Sequence, residues 1–149
     1  MLALLLAAAI GGGMSAMAQG SLPDDALWSF KTGVNENVGA ALAPEGAAQA
    51  NFDIAAIRSR IKEAGLLSAK NKLSPAVKAK IDANFEAHAK SVQTQIEKLQ
   101  QKGDYGAAAE MANIFQAALA DNAKGVIDMR AMLDIASRLS AETSEQAKQ

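Results

Sequence analysis

Residues 74–103 read SPAVKAKIDANFEAHAKSVQTQIEKLQQKG, and the period of this stretch decides the fold. Val77, Ile81, Phe85, His88, Val92, Ile96 and Leu99 recur at steps of three or four, the repeat of one helical face. Ser74 can cap the first turn with its oxygen, Pro75 suits the first helical position, and Gly103 can close the last turn. The stretch predicts a helix over residues 75–102, roughly 43 Å long at a rise of about 1.5 Å per residue.

The same period returns on both sides. Upstream, residues 47–64 place Ile54, Ile57 and Ile61 on one face, with Gly65 as the stop and Leu66 folding back on the last turn. Downstream, Asp104 caps a third helix in which Tyr105, Ala108, Ala112, Phe115 and Leu119 form a seam, and its two alanines require a close partner. After the Asp121-Asn122 turn, residues 123–141 carry Val126, Ile127, Met129, Met132, Leu133, Ile135 and Leu139. That apolar surface is wide enough to put the fourth helix in the middle. After Gln19 no strand-type alternation runs for more than a few residues, and the connections among the last three helices are short. The reading is therefore all-α: an up-down-up-down four-helix bundle over residues 47–141. Residues 19–46 read as a strap with a short helix at about 24–31 that docks Trp28 and Phe30, and the polar residues 142–149 as a fraying tail.

At the second hairpin, Lys102-Gly103-Asp104-Tyr105 followed by Ala108 resembles the inner turn of a tetratricopeptide repeat. The resemblance covers one hairpin of about 35 residues and implies two antiparallel helices. The Ala118-Leu119 pair stands three places beyond the repeat's own, and no second copy follows at the repeat spacing, so no family is assigned.

Hydrophobic residues make up 50% of the 149 and aromatic residues only 4%, which suits one domain of closely packed, alanine-rich helices. Residues 1–18, MLALLLAAAIGGGMSAMA, read as a secretory signal peptide: an apolar run at Leu2 to Ile10, a glycine break and a small-residue site at Ala16-Met17-Ala18 before cleavage. The run is shorter than the about 20 apolar residues of a bilayer span. The expected location is periplasmic or secreted. The chain has no cysteine, which excludes disulfides, thiol catalysis, thiolate metal sites and covalent haem attachment.

Catalytic chemistry finds little to stand on. His88 is the sole histidine and lies in the apolar series of the long helix, where a buried neutral imidazole with one partner is the plain expectation. A haem or other apolar ligand held between helices, with His88 and Met111, Met129 or Met132 around it, is the alternative reading. A di-iron site would need two Glu-x-x-His phrases, and Glu86-Ala87-His88 offers the wrong spacing. Neither a nucleophile elbow nor a phosphate loop occurs after the leader, so no enzyme, metal or resident cofactor is expected.

Charge is the feature that points somewhere. Residues 58–80 hold seven cations, Arg58, Arg60, Lys62, Lys70, Lys72, Lys78 and Lys80, against Glu63 alone, in a chain of formal net charge −1. The bundle would gather all seven at one end. Cations at a helix start oppose the helix dipole at about 0.3–1 kcal/mol each, which suggests use rather than structure. The expected function is an envelope binding or scaffolding protein that contacts an anionic surface or protein partner, including peripheral membrane contact. Nucleic acid is an unsuitable partner, because no aromatic residue is interleaved for stacking.

Overall fold

The structure is a computed structural model and describes residues 18, 20–120, 130–146 and 148. All regular structure among these residues is helical. Most of the expected leader, residues 1–18, and the first residues expected in the fourth helix lie outside the described residues.

The elements are α1 (Trp28–Phe30), a π-helical turn (Lys31–Asn35), α2 (Glu36–Leu42), α3 (Ala47–Ala69), α4 (Pro75–Gln101), α5 (Tyr105–Ala120) and α6 (Arg130–Gln146). Helix α4 has the expected ends. Ser74 Oγ accepts from Val77 N–H at 3.3 Å, and Gly103 follows the helix at φ 76°. Asp104 Oδ1 accepts from Ala107 N–H at 3.1 Å and starts α5 as foreseen.

Helix α3 does not stop at Gly65. It runs to Ala69 because Leu67 is fully buried and holds the last turn on the core, and Asn71, at φ 53°, takes the left-handed position instead. The strap is also more helical than expected. Residues 20–27 form turns, with Leu22 N–H donating to Asp25 Oδ2 at 2.7 Å, and the helical run begins at Trp28 and continues to Leu42. The tail is helical as far as Gln146, with no Gly or Pro to end it, and Thr143 is buried, its hydroxyl donating to Leu139 O at 2.6 Å.

Helices α3, α4 and α5 contact one another pairwise, whereas α6 lies chiefly against α5. The pairs Glu45–Lys98, Asp53–His88 and Arg60–Asn84 show α3 and α4 to be antiparallel, since one number falls as the other rises. Ile54, Ile57, Ile81, Val92, Ile96 and Phe115 are the centre of the core, each at most 2% exposed. Burial of each such side chain is worth about 1.5–3 kcal/mol. The seam alanines Ala108 and Ala112 are fully buried on α5, the close approach they required, whereas Tyr105 at the start of the expected seam is exposed. Among the described residues, α6 buries Ala136, Leu139 and Thr143 and lies chiefly against α5; Val126, Ile127 and Met129 of the helix expected in the middle lie outside the described residues.

Candidate functional site

The strap contains two charged residues between positions 26 and 44, Lys31 and Glu36. Five positions apart on an α-helix, they would point about 140° away from each other. The π-helical turn, in which Glu36 N–H donates to Lys31 O, widens the turn and brings both against α3. Each α-helix of the pair offers a matching polar stripe: Asp53, Arg60 and Glu63 on α3, and Asn84, His88 and Ser91 on α4.

Three cations and three carboxylates meet there. Arg60 is fully buried. It donates through Nη2 to Glu36 Oε1 at 2.7 Å and Glu63 Oε1 at 3.1 Å, and through Nη1 to Asn84 Oδ1 at 2.9 Å. Its Nε finds no hydrogen-bond partner among the described residues, but the guanidinium carbon stands 5.5 Å from the centroid of the Trp28 ring, whose face supplies cation–π attraction. Trp28 also donates from Nε1 to Glu63 Oε2 at 3.0 Å. Lys31 is buried and pairs with the same carboxylate while donating to Ser59 Oγ at 3.2 Å. Asp53, buried at the other end, faces His88 Nδ1 at 2.7 Å and accepts from Ser91 Oγ at 2.6 Å.

His88 thus has a carboxylate at each ring nitrogen, Glu36 Oε2 lying 3.4 Å from Nε2. Burial by itself pushes against the charged ring, but the hydrogen bonds and negative charges of Asp53 and Glu36 outweigh it and raise the pKa from 6.5 to about 9. The expectation of a singly partnered imidazole does not hold: two carboxylates face the two ring nitrogens, an arrangement that favours the doubly protonated ring because only a double donor satisfies both. Glu36 shows the reciprocal effect. Burial would raise its carboxyl, yet the His88 hydrogen bond and the charges of Arg60, His88 and Lys31 hold it below the ordinary value. The Phe52 ring meets His88 at 61° with centroids 6.5 Å apart, covering the pair on one side.

Two clefts, of about 240 and 160 Å³, open on either side of Lys31 and Ser59. Among the described residues, no group of three or more histidine and acidic side chains is arranged to hold a metal ion. Both ring nitrogens of His88 face carboxylates, and Met129, named with it in the haem-like alternative, lies outside the described residues.

The seven cations of the sequence do not stay together. Arg60 leaves the set: it points into the protein, because α3 turns it toward the two strap charges and Glu63. Arg58 is exposed on α3, well before the α3–α4 turn. Lys62 is exposed one turn further along. Lys70, Lys72 and Lys80 are exposed around the turn itself, and Lys78 is half-buried beside them. Lys72 lies 3.7 Å from Asp24, and Lys78 pairs with Asp82 at 2.6 Å. Among the described residues, Lys62, Lys70 and Lys80 make no ion pair.

The buried cluster was not foreseen. Its signal was present in the helical spacing of Asp53, Arg60 and Glu63 and of Asn84, His88 and Ser91, of which Arg60 was counted with the cationic end and His88 with the apolar series. No known protein family, curated protein or solved structure matches this chain.

Proposed function

We propose that this protein is a small exported binding module of the periplasm or cell envelope that docks on an anionic surface, or an acidic protein, through the cationic end of the α3–α4 pair, without catalysis. The observation that carries the reading is the concentration of Lys62, Lys70, Lys72, Lys78 and Lys80 toward that end, where Lys72 meets Asp24, Lys78 meets Asp82, and Lys62, Lys70 and Lys80 make no ion pair among the described residues. The start of α4 has no acidic residue in its first turn to meet its dipole, so the positive field there is left for something outside. In the architecture we propose, α3 to α6 run up, down, up and down. The antiparallel α3–α4 pairing and the three-residue link, 102–104, support that order. A carrier of an apolar or haem-like ligand around His88 is the weaker reading, since charged side chains occupy that place.

Cosedimentation with phosphatidylglycerol-containing vesicles at low and high salt tests the proposal. A lysine near an anionic surface contributes about 1 kcal/mol, so changing Lys70, Lys72, Lys78 and Lys80 to glutamine should weaken binding on the order of a thousandfold. Equal binding by wild type and variant would dispose of the site.

A further inference from the structure

The strap packs with its polarity reversed. Between Trp28 and Leu42 its buried side chains are Trp28 and Lys31, with Glu36 nearly so, while Val34, Val38 and Leu42 are 42%, 53% and 78% exposed. A surface helix ordinarily turns its apolar stripe inward. Here the inward face carries charges beside Trp28, the half-buried Phe30 and the close approach of Gly39 to the Phe52 ring, and none of the strap's large apolar residues except Trp28 is buried. Trp28 itself is fixed by polar contacts, its ring edge on Glu63 and its face under Arg60.

We propose that residues 28–42 are an acid-releasable strap, held on the α3–α4 pair by charge and not by apolar burial, which detaches while the helical core beneath stays folded. The groups that face one another are Lys31 and Glu36 from the strap, Asp53, Arg60 and Glu63 from α3, and His88 from α4, with the exposed Lys62 of α3 at the edge of the cleft beside Lys31 and Glu63. Near neutral pH these buried groups balance, three positive against three negative. Protonating the carboxylates leaves Lys31, Arg60 and His88 as three enclosed cations, a state in which strap and core repel each other. Apart from the Asp53–His88 and Arg60–Asn84 links, the contacts of the core are the isoleucines, alanines and phenylalanines of α3, α4 and α5, which have no such dependence. The strap can separate without disturbing them. It joins α3 through residues 43–46, where Ala43 is extended and Gly46 sits at φ 96°, a natural pivot.

Trp28 is the sole tryptophan of the chain and reports on the strap directly. The test is an acid titration of the full-length protein, following Trp28 emission and its quenching by acrylamide alongside helix content by circular dichroism. Release predicts that emission moves to the red and quenching rises several-fold at a pH where helix content is retained. Glu36→Gln should show the released Trp28 signal at a higher pH than wild type, whereas Val34→Ser, on the outer face, should leave the transition in place. A single transition in which fluorescence and helix content change together in the wild type overturns the proposal. So does a Val34→Ser variant that shifts release as far as Glu36→Gln. If Glu36→Gln does not fold, the wild-type titration decides alone.

Discussion

Arg60 illustrates how one side chain changes role with its surroundings. Counted in the sequence it is one of seven surface cations; in the fold it is fully buried and serves two carboxylates and an asparagine. Removing one member of a buried ion pair strands the other, at a cost of about 3–5 kcal/mol. Arg60→Ala should therefore lose that much stability in urea denaturation, and a loss no larger than that of an exposed lysine variant would contradict the geometry. His88 makes a second prediction. Its folded pKa, about 9, stands above the usual 6.5, so the folded state holds a proton the unfolded chain has given up over that interval. Stability from this group is complete below about pH 6.5 and is lost as pH rises toward 9. The difference is roughly 3 kcal/mol. Urea midpoints at about pH 6 and 9.5 measure it, and His88→Gln should flatten the slope.

The elements owe their ends to chemistry that can be removed one atom at a time. Ser74→Ala deletes the oxygen that receives Val77 N–H and should cost about 0.5–2 kcal/mol, seen as a lower melting temperature. Gly46 combines a left-handed φ of 96° with an N–H that donates to the buried Gln95 at 2.9 Å, so Gly46→Ala should strain the entry to α3. An unchanged melting temperature there would mean that the backbone relaxes freely. At Gly39 an added Cβ would press into the Phe52 ring, and Phe52 in turn lies against His88, so Gly39→Ala disturbs the covered side of the cluster. Helices α4 and α5 were legible from the sequence because caps, glycine and period all lie within a few residues of each other. The strap was not, since its helix depends on a π turn that pays off only when Lys31 and Glu36 find partners on α3.

For the molecule as a unit, the charges divide into a closed internal set and an open external one. Salt at a Debye length of about 8–10 Å screens exposed charges far more than buried ones. Binding to anionic vesicles should therefore fall steeply between low and high salt while the urea midpoint at neutral pH moves little; parallel loss of both would show that the two sets are not separate. The pH profile of stability should peak in the mildly acidic range. Above it, His88 gives up its proton. Below it, Glu36, held under its ordinary pKa, is protonated and its contribution is lost as pH falls.

The amino-acid order alone determined that helices form, where α4 and α5 start, and most of the core residues of α3 to α5, though not that Tyr105 of the expected seam is exposed, because helical period and capping are local and helical backbone hydrogen bonds reach only four residues. Which charges would be enclosed was decided by tertiary structure. Arg60 and Glu36 are 24 positions apart and His88 and Glu36 are 52, and no local rule selects between water and so distant a partner. Only the packing of strap, α3 and α4 excludes water from that place, and once it does, each enclosed charge must find its opposite.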